Sequence, residues 1–125
     1  MTLPLEGVRI LTVEQYGPGR FGTMWLADQG AEVIKIESLD GDESRETGPI
    51  VRGQSAYWVQ YNSGKKSLAI NLRTEEGKDV LRDLVKVSDF LVQNFRPGTI
   101  EIMGFGYDAL KELNPKIIMI NVSAY

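Results

Sequence analysis

The sequence has 125 residues, 42% of them hydrophobic and 25% charged, with 14 Lys plus Arg against 17 Asp plus Glu for a net charge of −3. That is the size and composition of one globular domain, or part of a larger one, and not of two independent cores. The mild acidity excludes a general attraction to nucleic acid or an anionic membrane, and the absence of Cys and His excludes disulfides, thiolate nucleophiles, Cys/His zinc sites and a histidine base.

Short hydrophobic runs separated by helical patterns predict an α/β fold with a mostly parallel sheet and flanking helices. Val8–Val13 reads as a first strand, Gly17–Gly22 as the loop after it, and a helix follows through about Asp28, with Met24, Trp25 and Leu26 as its apolar surface. Glu32–Glu37 is the second strand. The polar stretch Ser38–Gly53 is long for a connection, and such loops are usually functional or mobile. Gln54–Tyr61 reads as a short helix and Ser67–Leu72 as a third strand. Thr74 suits a helix N-cap, with Glu75 and Glu76 complementing the dipole and Val80, Leu81, Leu84, Val85 and Val87 forming an apolar face. Phe90–Val92 is a fourth strand, Asn94–Gly98 a turn, Asp108–Leu113 a helical piece and Lys116–Val122 a fifth strand. No closing helix follows that strand before Tyr125, so the sheet is expected to be incomplete, the N-terminal part of something longer.

No segment has the roughly 18 consecutive apolar residues of a membrane span, and Met1–Glu6 lacks the basic start and apolar run of a signal peptide. A cytoplasmic location is the expectation, with no membrane and no nucleic acid among the partners.

Four constellations bear on chemistry. Gly17-x-Gly19-x-x-Gly22 lies between a strand and a helix, with Glu37 twenty residues past Gly17, which is the form of a dinucleotide fingerprint. Pro18 removes an amide donor from that loop and Arg20-Phe21 is bulky where phosphate must approach; a glycine-rich βα turn without a dinucleotide fits equally. Lys65 and Lys66, with Arg73 nearby, suit phosphates or, more simply, a solvated loop. Asn94-Phe95-Arg96-Pro97-Gly98 follows the fourth strand, at the end of the sheet where open α/β folds bind ligands; an amide, an aromatic face and a guanidinium there suit an adenine and a phosphate, or a tight turn with Phe95 in the core. Asp40, Asp42, Glu43 and Glu46 do not match a calcium loop and read as a solvated loop, so no metal site is expected.

Taken in order, Leu3-Pro4-Leu5-Glu6-Gly7-Val8-Arg9-Ile10-Leu11, Leu26–Glu37, Asn62–Ser67, Leu72–Gly77, Asn94–Gly98 and Met103-Gly104-Phe105-Gly106-Tyr107 resemble the start of the family III CoA-transferases, a group that includes formyl-CoA and carnitine CoA-transferases and α-methylacyl-CoA racemases. The resemblance implies that residues 1–125 are the N-terminal part of a Rossmann-like CoA-binding domain, usually in an interlocked homodimer. It implies transfer of CoA from an acyl-CoA to a carboxylic acid through an aspartate-bound anhydride and thioester. That aspartate would lie beyond Tyr125, so no catalytic residue is expected in this chain, and no cofactor is expected beyond coenzyme A or acyl-CoA as substrate. Asn94, Phe95 and Arg96 match the turn that holds the adenosine end of CoA, Ile70 and Arg73 match positions beside the adenine and its phosphates, Met103 matches one near the base, and Gly17 and Gly19 match the loop near the thioester. Ser38 and Ile102 stand where family members often carry basic residues. Three other readings stay open: an acyl-CoA racemase or isomerase of the same family, an NAD-dependent oxidoreductase using Gly17, Gly19, Gly22 and Glu37, and a non-catalytic half that pairs with a separate chain.

Overall fold

The computed structural model describes residues 2–124; Met1 and Tyr125 lie outside the described residues. In chain order the elements are β1 (Arg9–Val13), α1 (Pro18–Asp28), β2 (Glu32–Glu37), a 3-10 turn (Glu43–Arg45), β3 (Ile50–Val51), β4 (Gln54–Ser55), α2 (Ala56–Asn62), β5 (Lys66–Ala69), α3 (Glu75–Lys86), β6 (Phe90–Gln93), α4 (Thr99–Ile102), α5 (Tyr107–Leu113) and β7 (Ile118–Asn121). Five strands form one sheet in the order β5-β2-β1-β6-β7, and every pair in it is parallel. This is the α/β, Rossmann-like arrangement expected from the sequence.

Alternation along the central strands separates two apolar layers. Leu11, Val13, Ile36 and Leu91 face α3, α4 and α5 and pack with Leu81, Val85, Ile100, Phe105 and Leu110. Ile10, Val33 and Val92 face the other way, against Leu26 and Ala27 of α1. Burial on both faces explains why these strands read as unbroken apolar runs.

Several boundaries differ from the sequence reading, each for a local reason. The loop expected at Gly17–Gly22 is mostly helix: Pro18 is the first residue of α1, where a missing N–H costs nothing. The third strand ends at Ala69 rather than Leu72, because Asn71 Oδ1 accepts from the Arg73 amide at 3.1 Å and turns the chain. The last strand starts two residues late, since Asn114 Oδ1 draws in the Lys116 amide at 3.1 Å. Ser38–Gly53 is not a bare loop; it holds the 3-10 turn and the first strand of the β3-β4 hairpin. The short helix starts at Ala56, with Ser55 as its cap accepting from the Trp58 amide at 3.0 Å. Thr74 caps α3 as expected, accepting from Gly77 N at 3.2 Å. On that helix Leu81 and Val85 are buried, whereas Val80 and, just past its end, Val87 are exposed.

Candidate functional site

The strand order reverses between β1 and β6, and in open α/β sheets the crevice beyond the carboxyl ends at such a point is where ligands bind. Here the Asn94 side chain joins the two loops that leave those strands. Its Nδ2 donates to the carbonyls of Gln15 and, at 2.6 Å, Tyr16, while its Oδ1 accepts from the Gln15 amide at 2.8 Å. Tyr16 is held at φ 25°, a region few side chains adopt.

Beside this junction opens a cleft of about 630 Å³, within the range of small-molecule sites. Of the eight residues expected to contact a ligand, it gathers Ile70, Arg73, Phe95 and Met103. Ile70, Phe95 and Met103 also pack on the main core, which makes a firm apolar floor, and Arg73 is exposed at its edge. Gly17, Gly19, Asn94 and Arg96 do not line the cleft. Asn94 turns its amide inward to the β1-α1 turn, Gly17 precedes α1 and Gly19 lies in its first turn, and Arg96 is exposed beyond β6. Among the described residues neither Arg73 nor Arg96 takes part in an ion pair. Ser38 donates to the Gly41 carbonyl at 2.9 Å and Ile102 is exposed, so neither adds a positive charge to the site.

Beneath the cleft lies a buried ionic layer that was not foreseen. Lys65 Nζ reaches Glu14 Oε1 at 3.1 Å, Thr23 Oγ1 at 2.6 Å and the Arg20 carbonyl at 3.1 Å; the Glu14 and Lys65 side chains are 0% and 1% exposed. Asp42 accepts from Arg20 Nη2 at 2.6 Å and pairs with Lys35 at 2.9 Å. Lys65 and Asp42 are therefore not solvated charges, whereas Lys66 stays exposed and pairs with Glu32 at 2.5 Å. Burial lowers the Lys65 pKa, and the Glu14 charge opposes that shift without cancelling it. For Asp42, burial pushes the carboxyl up, but hydrogen bonds from Ser44 and Lys35 outweigh it and hold the group below its ordinary value. A signal for this layer was present: Lys35 stands inside the otherwise apolar run Val33-Ile34-Lys35-Ile36, and a charge on a doubly covered strand needs a buried partner.

The glycine pattern takes a different meaning. Gly17, at φ 86°, is the residue before α1. A Cβ at Gly19 would lie 2.7 Å from Glu14 Oε2, whereas one at Gly22 would meet nothing within 4 Å. Gly19 thus makes room for a carboxylate of the protein itself, and Gly22 serves no helix–strand contact. Glu37, the expected ribose acid, is occupied: its carboxylate accepts from Arg45 Nη2 at 2.7 Å, Arg45 Nε at 3.0 Å, Ser67 Oγ at 2.5 Å and the Asp42 amide at 3.0 Å. Burial raises its pKa, but Arg45 and Ser67 more than offset this and the net shift is downward. The Arg45 guanidinium stacks on Trp58, 3.8 Å from the ring centroid. With four donors already on Glu37, the dinucleotide reading loses its ribose contact. Among the described residues no group of three or more His, Cys, Asp or Glu could hold a metal ion, and no helix is long and apolar enough to cross a membrane.

The model for CoA-transferase family III matches residues 5–125. The chain belongs to that family. It is 44% identical to succinyl-CoA–D-citramalate CoA-transferase of Chloroflexus aurantiacus, over 98% of this chain and 31% of that protein. It is 41% identical to human succinyl-CoA:glutarate CoA-transferase, over 98% and 28%. Among solved structures, Rv3272 of Mycobacterium tuberculosis superposes with a TM-score of 0.93 at 36% identity, covering 99% of this chain and 35% of that one. A CAIB/BAIF family protein of Brucella suis gives 0.90 at 36%, covering 97% and 33%. The family III chain thus spans about three-tenths of the length of the curated relatives it matches.

Proposed function

We propose that this chain supplies the CoA-binding floor of a transferase that moves CoA between an acyl-CoA and a carboxylic acid. Residues 1–125 would form the N-terminal part of its large Rossmann-like domain. The observation that carries the reading is the cleft itself: Ile70, Phe95 and Met103 offer an apolar surface for a base, with the free guanidinium of Arg73 at its edge and that of Arg96 just outside. Three of the acids along the cleft, Glu14, Glu37 and Asp42, are neutralised by Lys65, Arg45, Arg20 and Lys35, so the wall does not repel phosphates as its composition suggests.

In this reading Asn94 acts as a positioning residue for the Gln15–Gly17 turn, and Phe95 and Arg96 extend the binding surface past β6. Relatives named for exchange of CoA with glutarate, D-citramalate and oxalate support a carboxylic acid as acceptor. The covalent step is assigned to an aspartate outside residues 1–125, which splits one hard acyl transfer into easier ones. An interlocked homodimer and a cytoplasmic setting complete the proposal.

Calorimetric titration with CoA tests it. Loss of a charge-assisted contact in Arg73→Ala or Arg96→Ala is expected to cost roughly 1.5–3 kcal/mol, or about 10- to 150-fold in Kd. Unchanged CoA affinity in both variants would remove the cleft from CoA binding.

A further inference from the structure

We infer that Arg20 is a subsite for a small carboxylate behind the wall of the cleft, screened by the side chain of Tyr16; the assignment rests on the CoA–carboxylate exchange reading and specifies where the acid binds. Three observations carry it.

The first is unfilled hydrogen-bonding capacity. Arg20 is fully buried and its Nη2 donates to both oxygens of Asp42, at 2.7 and 2.6 Å. Its Nε and Nη1 are buried with no hydrogen-bond partner among the described residues. A guanidinium has five N–H donors and no means of shedding its charge, and unpartnered buried donors are exceptions that call for an acceptor.

The second is charge. In the buried layer Arg20, Lys35 and Lys65 pair with Asp42 or Glu14, three cations to two anions. Including the Glu37–Arg45 pair leaves the same excess of one. Asp40 and Glu43 at the rim are exposed and their charges are met by water. One monoanion restores balance, which a carboxylate supplies and a phosphate at neutral pH exceeds. A planar, weakly hydrated guanidinium is also the side chain best suited to carboxylates.

The third is access. Tyr16 lies over the guanidinium, with Arg20 Cζ 5.2 Å from the ring centroid, and both Tyr16 and Asp42 line the cleft. Tyr16 is 45% exposed, so a side chain that reaches open solvent, and not a sealed core, stands over the cation on that side. Its positive φ is held from behind by Asn94, and strained residues of this kind collect at ligand clamps.

Thermal denaturation of the protein with sodium propionate, against sodium chloride at equal ionic strength, tests the assignment, since a ligand of the folded state raises Tm by mass action. Propionate is expected to raise Tm above chloride in the wild type, and Arg20→Gln is expected to weaken propionate at least about tenfold. Arg20→Gln leaves Lys35 and Lys65 facing Glu14 and Asp42, two against two, so it is expected to fold. CoA should still stabilise both proteins, since Lys35 continues to pair with Asp42 at the cleft wall. Equal shifts with chloride and propionate would mean an adventitious ion only, and an undiminished propionate effect in Arg20→Gln would equally overturn the subsite. If CoA stabilises neither protein while propionate acts through Arg20, the CoA reading falls and the anion site stands. Should Arg20→Gln not fold, the wild-type Arg20 Nε–H resonance decides: it is expected to move with propionate and not with chloride, and a stationary signal overturns the proposal.

Discussion

Glu14→Gln tests the buried ionic layer, because it removes one negative charge while keeping the size of the side chain. Glu14 is the carboxylate bound by Lys65, and its side chain is 0% exposed. Without that charge, three buried cations share Asp42 alone, and Lys65 keeps only Thr23 and the Arg20 carbonyl. Breaking a buried pair by removing one partner costs about 3–5 kcal/mol, a large part of the 5–15 kcal/mol that holds a domain of ordinary stability. At roughly 3–5 °C per kcal/mol for a chain of this length, Tm should fall by about 10–25 °C. The penalty should also depend on pH. Burial already lowers the Lys65 pKa, and loss of the Glu14 charge lowers it further. The unfolded chain then binds more protons than the folded one between the folded pKa and about 10.4, so stability recovers as pH rises through that window. Urea unfolding at pH 7 and again near pH 9.5 reads both effects. Adding Lys65→Met should recover part of the loss, with a coupling energy of about 2 kcal/mol or more. A Glu14→Gln protein within about 1 kcal/mol of wild type, or a strictly additive double variant, would refute the reasoning.

Gly77→Ala gains about 1 kcal/mol of helix propensity, but the new Cβ would lie 2.0 Å from the Asn71 carbonyl oxygen; a net loss of about 1–3 kcal/mol is expected by thermal denaturation, with weaker CoA binding because Asn71 leads into Arg73. Asn94→Ala removes the three bonds that tie the Gln15–Tyr16 backbone to β6 and should cost about 1–3 kcal/mol, with faster amide exchange confined to the β1-α1 turn. Glu37 and Asp42 both have lowered pKa values in the folded state, so their contribution is complete above the unfolded carboxyl values near 4 and is lost as pH falls through the folded ones. A stability profile that is level from pH 5 to 7 and drops steeply below about 4 is expected.

The sheet was legible in the sequence because central parallel strands are covered on both faces, so Val8–Val13 and Phe90–Val92 show as apolar runs with no competing pattern. Thr74 and its acidic first turn announced α3 for the same local reason. The ionic layer was not legible, since its bonds join residues far apart in the chain, such as Lys65 to Glu14 and Arg20 to Asp42. Read locally, Lys65 and Asp42 are solvated charges; only the fold shows them desolvated and paired. The glycine pattern misled because spacing alone does not distinguish a glycine that admits a phosphate from one, like Gly19, that admits the protein's own carboxylate. Half of the expected ligand contacts gather in the cleft because they follow strands β5 and β6 at the same end of the sheet, while Asn94 is drawn away by the backbone it supports.

Mapping CoA on the protein by NMR tests the central claim most directly. The account predicts that CoA shifts the amides of residues 70–73 and 94–96 and the Met103 methyl group, with Arg73→Ala weakening the effect, while NAD leaves the Glu37 region unmoved. Perturbations centred on Glu37 with NAD, or none around the cleft with CoA, would contradict it.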